Sequence, residues 1–175
     1  MQEHLTTAVA AILLPLAFII AYYDVRYRRI PNAFVLAGLA GGLLVNALAG
    51  GFQGLLMSVA GCLAAFAMML VLHIFGAMGA GDVKLFAAIG SVVGLKLVVP
   101  TFFVVVLTGG ALAVVSMLRA GNAGATMRRV LHIFAGLLPG WEMPRFAVPA
   151  DKRHTIPYGV AITLGSLISV VLFRA

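Results

Sequence analysis

Two of the five carboxylates in this chain stand apart from the others. Glu3 lies near the N-terminus, and Glu142 and Asp151 fall in a polar stretch. Asp24 and Asp82 each sit where a long apolar run meets basic residues. Asp24 is found in Tyr22-Tyr23-Asp24-Val25-Arg26-Tyr27-Arg28-Arg29-Ile30-Pro31-Asn32, and Asp82 in Gly79-Ala80-Gly81-Asp82-Val83-Lys84-Leu85. Ionisable groups at such places are costly and usually functional. Two carboxyls brought together share a proton, because like charges about 3 Å apart cannot both ionise. The ionised member can then draw a proton from a bound water while the protonated member polarises a carbonyl. That chemistry hydrolyses a peptide bond with no metal, no cofactor and no serine or cysteine nucleophile. Gly79 and Gly81 leave the backbone bare just before Asp82, where a second chain can approach closely.

Each aspartate also has a structural reading. Asp24 could pair with Arg28 one helical turn on, and Pro31-Asn32 could be only a turn and N-cap for the next helix. Asp82 could be the N-cap of the helix that follows it, with glycine ending the helix before. One motif is ambiguous; two carboxylates on one membrane face are much less so, and that depends on the elements that carry them.

Hydrophobic residues make up 63% of the chain and charged residues 10%, with a mean hydropathy of +1.12. A single soluble core could not hide so much apolar surface in 175 residues. The sequence predicts an all-α, polytopic transmembrane bundle forming one domain over 1–175, with about six spans near 5–23, 33–50, 54–75, 83–95, 97–118 and 156–173. The fourth run is short against the usual ~20 residues, and is expected to borrow length from its flanks, across Lys96 into the next run. Met1-Gln2-Glu3-His4 lacks the positive region of a secretory signal, so the first run reads as a retained helix.

Basic residues concentrate in three connections: Arg26, Arg28 and Arg29; Lys84; and Arg119, Arg128, Arg129, Arg145, Lys152 and Arg153. The other side offers only Lys96 and Arg174. By the positive-inside rule the richer loops are cytoplasmic and both termini face outward. Asp24 and Asp82 then share the cytoplasmic edge of the membrane. The net charge of +7 therefore encodes topology, and nucleic acid is not an expected partner. In the long interfacial loop, about 119–155, Met127, Val130, Leu131 and Phe134 recur at helical spacing opposite Arg128, Arg129 and His132. This predicts a short amphipathic helix lying against lipid headgroups. Cys62 is the single cysteine, and the four histidines share no metal-ligand spacing, so no metal site is expected. His73 reads as a hydrogen-bonding residue. Gly38 with Gly42, and Gly61 with Ala65, have the spacing that lets helices pack closely in lipid.

These residues resemble the type IV prepilin peptidases, membrane aspartic proteases with a Gly-x-Gly-Asp motif. The resemblance rests on Asp24 with Arg28-Arg29-Ile30-Pro31-Asn32, on Gly79-Ala80-Gly81-Asp82-Val83-Lys84-Leu85, and on Ile156-Pro157-Tyr158-Gly159 opening the last span. It implies a bacterial inner-membrane enzyme that cuts basic leaders from prepilins or pseudopilins at the cytoplasmic face. Asp24 and Asp82 match the family's catalytic aspartates and Gly79 and Gly81 its motif glycines; Lys84, Pro31 and Asn32 would be supporting. Larger members carry a cytoplasmic insertion whose paired cysteines bind zinc and which is associated with N-methylation. The single cysteine here is similar to the short, peptidase-only branch of tight-adherence (Flp-type) pili, and methylation is not expected. The presenilin and signal-peptide-peptidase group shares Tyr-Asp and Gly-x-Gly-Asp, but its Pro-Ala-Leu motif is absent here. A small transporter, or a structural subunit of a pilus or secretion system, is the alternative class; no inverted repeat and no midplane aspartate favours the former.

Overall fold

Backbone groups facing lipid must find partners within their own segment, which leaves long apolar runs little choice but helix. The structure, a computed structural model, describes residues 2–75, 78–119 and 158–174. Every element among the described residues is a helix: α1 (Gln2–Tyr27), α2 (Asn32–Ile74), α3 (Ala80–Val93), α4 (Leu95–Arg119) and α5 (Tyr158–Arg174). Three of them, α1, α2 and α4, contain stretches long and apolar enough to cross a membrane, and α5 is a shorter apolar helix. The amphipathic segment expected around 127–138 lies outside the described residues.

At 43 residues, a straight α2 would be roughly 65 Å long. It is not straight. Gly51 has φ 59° and ψ −143°, a backbone conformation open essentially to glycine alone, and the chain reverses there. Asn46 before the break and Ser58 after it both donate to the Ser91 carbonyl, at 2.9 and 2.6 Å. On a continuous helix those two residues would stand about 18 Å apart. A methyl at Gly54 would run into the Asn46 carbonyl, so the returning arm starts hard against the outgoing one. The arms 32–50 and 52–74 thus correspond to the second and third apolar runs.

Helix α3 lies between these two arms, and every residue from Leu85 to Val93 is buried. The approach is close because the expected small residues are at the contacts. A Cβ at Gly42 would lie 2.5 Å from Ser91 Oγ, and one at Gly90 would lie 2.5 Å from the Cβ of Ala65. Gly38 meets Leu16 of α1 and Ala88 of α3. Around this centre, α5 packs on α4 and α1, with Thr101 and Ser169 hydrogen-bonded at 2.8 Å in the buried α4–α5 contact.

The fourth run does not borrow length through Lys96. α3 gains its extra turn at the N-terminal end, from Ala80, and stops at Val93; Gly94, with φ 76°, separates it from α4. Its 14 residues give about 21 Å against a hydrocarbon thickness of ~30 Å. A helix can stop short inside protein only if its last carbonyls find donors. Asn46 supplies them: its side-chain amide donates to Ser91 O at 2.9 Å and to Val92 O at 3.1 Å, as well as to Gly42 O on its own arm. Ser58 adds a second donor to Ser91 O. Asn46→Leu is therefore expected to cost about 1–2 kcal/mol and to lower the unfolding midpoint in detergent. Ser58→Ala should cost less, because Ser91 keeps Asn46. Equal midpoints for Asn46→Leu and wild type would show that α3 is held by packing alone.

Candidate active site

The reversal in α2 brings three helix ends to the same side of the bundle: the C-terminal end of α1 and the N-terminal ends of α3 and α5. Asp24 lies on the last turn of α1 and is buried, with only 8% of its surface exposed. α1 ends just beyond it because Arg28 takes a left-handed conformation, φ 52°, and donates its N–H to the Asp24 carbonyl at 3.1 Å. This single closing bond is the simpler of the glycine-type helix endings, here adopted by an arginine. The Arg28 charge also lies within electrostatic range of the Asp24 carboxylate, on the side their spacing suggests.

The principal partner of Asp24 comes from the other end of the chain. Gly159 donates its N–H to Asp24 Oδ2 at 2.7 Å, and the Val160 amide lies beside the same carboxylate. Both belong to the first turn of α5, where backbone N–H groups have no partner within the helix. Asp24 thus caps α5 from another helix. Gly159 is required by space: a Cβ there would sit 2.8 Å from Asp24 Oδ2 and 3.1 Å from Ile20.

Asp82 is not the N-cap of α3. That position is Gly79, and Asp82 stands three residues inside. Its N–H donates to the Gly79 carbonyl at 3.1 Å, and its Oδ2 accepts from the Gly79 N–H at 3.1 Å. This reciprocal turn pins the carboxylate at the mouth of the helix. The segment leading into it is held by His73, whose Nδ1 lies 2.8 Å from the Met78 carbonyl, the hydrogen-bonding role expected of that histidine. Gly79 and Ala80 are exposed, and Gly81 makes ordinary contact with Ile30. The bare backbone in front of Asp82 is therefore open, as the sequence suggests.

Asp24 and Asp82 lie within electrostatic range of each other, and Asp82 lies within the same range of the Tyr158 hydroxyl. Tyr158 is partly buried with its ring against Gly109 of α4. The residues brought together are thus Asp24, Asp82, Gly79, Tyr158 and Gly159. The remaining sequence candidates stand elsewhere. Pro31 is the N-cap of α2, with no side-chain cap, and Asn32 is the first helical residue rather than the cap. Asn32 and the exposed Lys84 line a groove between α2 and α3 instead. Among the described residues no three of His, Cys, Asp and Glu gather as a metal site would require. Tyr158 and Gly159 belong to the motif that opens the last span, but the sequence alone gives them no role. The only available signal was a glycine in the first turn of a span, where a helix N-terminus could be approached.

A profile of the type IV leader peptidase family matches residues 11–114, a stretch holding Asp24, Gly79, Gly81, Asp82 and Lys84. The chain is 38% identical over 163 residues to the prepilin leader peptidase/N-methyltransferase of Bacillus subtilis (strain 168), covering 91% of this chain and 54% of that protein. It therefore spans about half the length of that curated relative. No solved structure matches the chain.

Proposed function

Because the chain belongs to the type IV leader peptidase family, we propose that it is an intramembrane aspartic endopeptidase that removes the basic leader from prepilins or pseudopilins, with Asp24 and Asp82 as its catalytic pair. One observation carries the reading: carboxylates from two different helices stand at one end of the bundle, within electrostatic range of each other and beside an exposed glycine backbone. In the reaction the ionised carboxylate takes a proton from water as its oxygen bonds to the scissile carbonyl carbon. The protonated carboxyl donates to the carbonyl oxygen, and collapse of the tetrahedral intermediate breaks the C–N bond as the leaving nitrogen gains a proton. Gly79 and Gly81 leave room for an extended substrate beside Asp82, while Gly159 holds Asp24.

In this reading the bundle crosses the bacterial inner membrane six times with both termini outside the cytoplasm, the two arms of α2 counting as separate passes. The basic connections support that orientation, which sets Asp24 and Asp82 at the cytoplasmic face. The methylation in the relative's name is not proposed for this chain, whose single cysteine offers no paired ligands. The test is incubation of the purified protein in vesicles with a full-length prepilin, followed by mass spectrometry of the new N-terminus. Leader removal just before the hydrophobic segment, with an unmethylated product, is expected. An intact leader would return the transporter or structural-subunit readings to the front, and a methylated product would refute the peptidase-only assignment.

A further inference from the structure

Asp82 and Lys84 are two residues apart on α3, which places them about 200° apart around the helix. Asp82 faces α1 and α5, while Lys84 faces the arms of α2. There, on the far side of α3 from the carboxylates, three helices enclose a groove of about 370 Å³. Leu36 and Leu39 line it from the first arm, Cys62 and Phe66 from the second, and Lys84 and Ala87 from α3. Each pair lies three or four positions apart, so the groove runs along the helices rather than across them. From Asn32 to Leu39 it extends about 10 Å.

Its polarity is confined to one end. Asn32 and Lys84, each in the first turns of its helix, bring an amide and an ammonium to the membrane level of the two aspartates; all other lining residues are apolar or small. Lys84 is exposed, and among the described residues no carboxylate is paired with it. Leu36 and Phe66 are 62% and 40% exposed, so the groove opens sideways onto the surface that faces lipid. An occupant must therefore be an amphiphile: a negative head at the interface and an apolar body along the helix axis. An extended peptide fits poorly, since its backbone would meet polar groups at one end only, and a substrate held here, helical or extended, would have α3 between it and Asp82.

We infer that the groove between α3 and the two arms of α2 is a binding site for an anionic phospholipid, its phosphate held by Lys84 and Asn32 and an acyl chain lying against Leu36, Leu39 and Phe66. The site is separate from the carboxylate pair, and its occupancy does not depend on peptidase activity. It gives Lys84 and Asn32 a task that the geometry of the aspartates does not.

The chain carries its own reporter, because Cys62, its single cysteine, lines the groove and is half-buried. The full-length protein is reconstituted into vesicles of phosphatidylcholine alone, or of phosphatidylcholine with phosphatidylglycerol. Alkylation of Cys62 by a membrane-permeant maleimide is then timed. Phosphatidylglycerol is expected to slow alkylation of the wild type roughly fivefold, the weight of one lysine–anionic lipid contact. Lys84→Gln should alkylate at the same rate in both vesicles. Lys96→Gln, which removes an exposed cation away from the groove, should keep the slowing, and so should Asp82→Asn, which separates this site from the peptidase reading. Equal wild-type rates in the two vesicles, slowing that survives Lys84→Gln, or protection by an added prepilin but not by the lipid would each overturn the assignment.

Discussion

Asp82→Asn and Asp24→Asn are each expected to lower prepilin cleavage by at least about a hundredfold, the low end of what general acid–base catalysis supplies, at normal membrane abundance. The isosteric change keeps the fold because both carboxylates are structural acceptors as well as chemical groups. Asp82 accepts the Gly79 N–H and Asp24 accepts the Gly159 N–H; an asparagine carbonyl oxygen can do the same. What asparagine cannot do is exchange a proton with water or with the leaving nitrogen. Asp24→Ala should lose both functions, being inactive and also less stable by about 1 kcal/mol, the usual worth of a cap. The double variant Asp24→Asn/Asp82→Asn should be no slower than either single one, since residues that act as a unit are strongly non-additive. Near-normal cleavage by either asparagine variant would reduce that aspartate to its capping role.

That comparison matters because each aspartate has a structural role in the fold beside the catalytic one proposed for it. From sequence alone, capping and ion pairing compete with catalysis as readings of these residues. In the fold Asp24 is near Arg28, caps α5 and faces Asp82, while Asp82 closes the turn at Gly79. The features that were legible are those written in local spacing: the apolar helices, the gap filled by Gly51, the small-residue contacts at Gly42 and Gly61, and the shared end of the bundle for the two motifs. The features that were not legible depend on partners distant in sequence. Asn46 looks like a lone polar residue in an apolar run until its partners, the Ser91 and Val92 carbonyls, are known. The same donors explain why α3 ends at Val93 rather than running on to Lys96, which length alone could not reveal. The offset of Asp82 from the N-cap was hidden for a local reason: a glycine at the cap and an aspartate three residues later satisfy the same backbone groups as an aspartate at the cap itself.

Gly159→Ala should separate positioning from chemistry. The glycine takes no part in proton transfer, yet a methyl on it would lie 2.8 Å from Asp24 Oδ2, 3.2 Å from its carboxyl carbon and 3.1 Å from Ile20 Cγ2. Ile20 is wholly buried and cannot retreat, so the carboxylate must move or α5 must slide. Displacing a reacting group by about 1 Å costs on the order of a hundredfold in rate, whereas losing one hydrogen bond costs only about 1 kcal/mol in stability. The expected outcome is therefore a large fall in kcat with a small change in unfolding midpoint. In an Asp24→Asn background, already without its proton-transfer group, Gly159→Ala should have no further effect on cleavage. A further loss there would mean that the first turn of α5 acts on the substrate directly. A normal kcat for Gly159→Ala would mean that the Gly159–Asp24 contact is not the arrangement in which the carboxylate works.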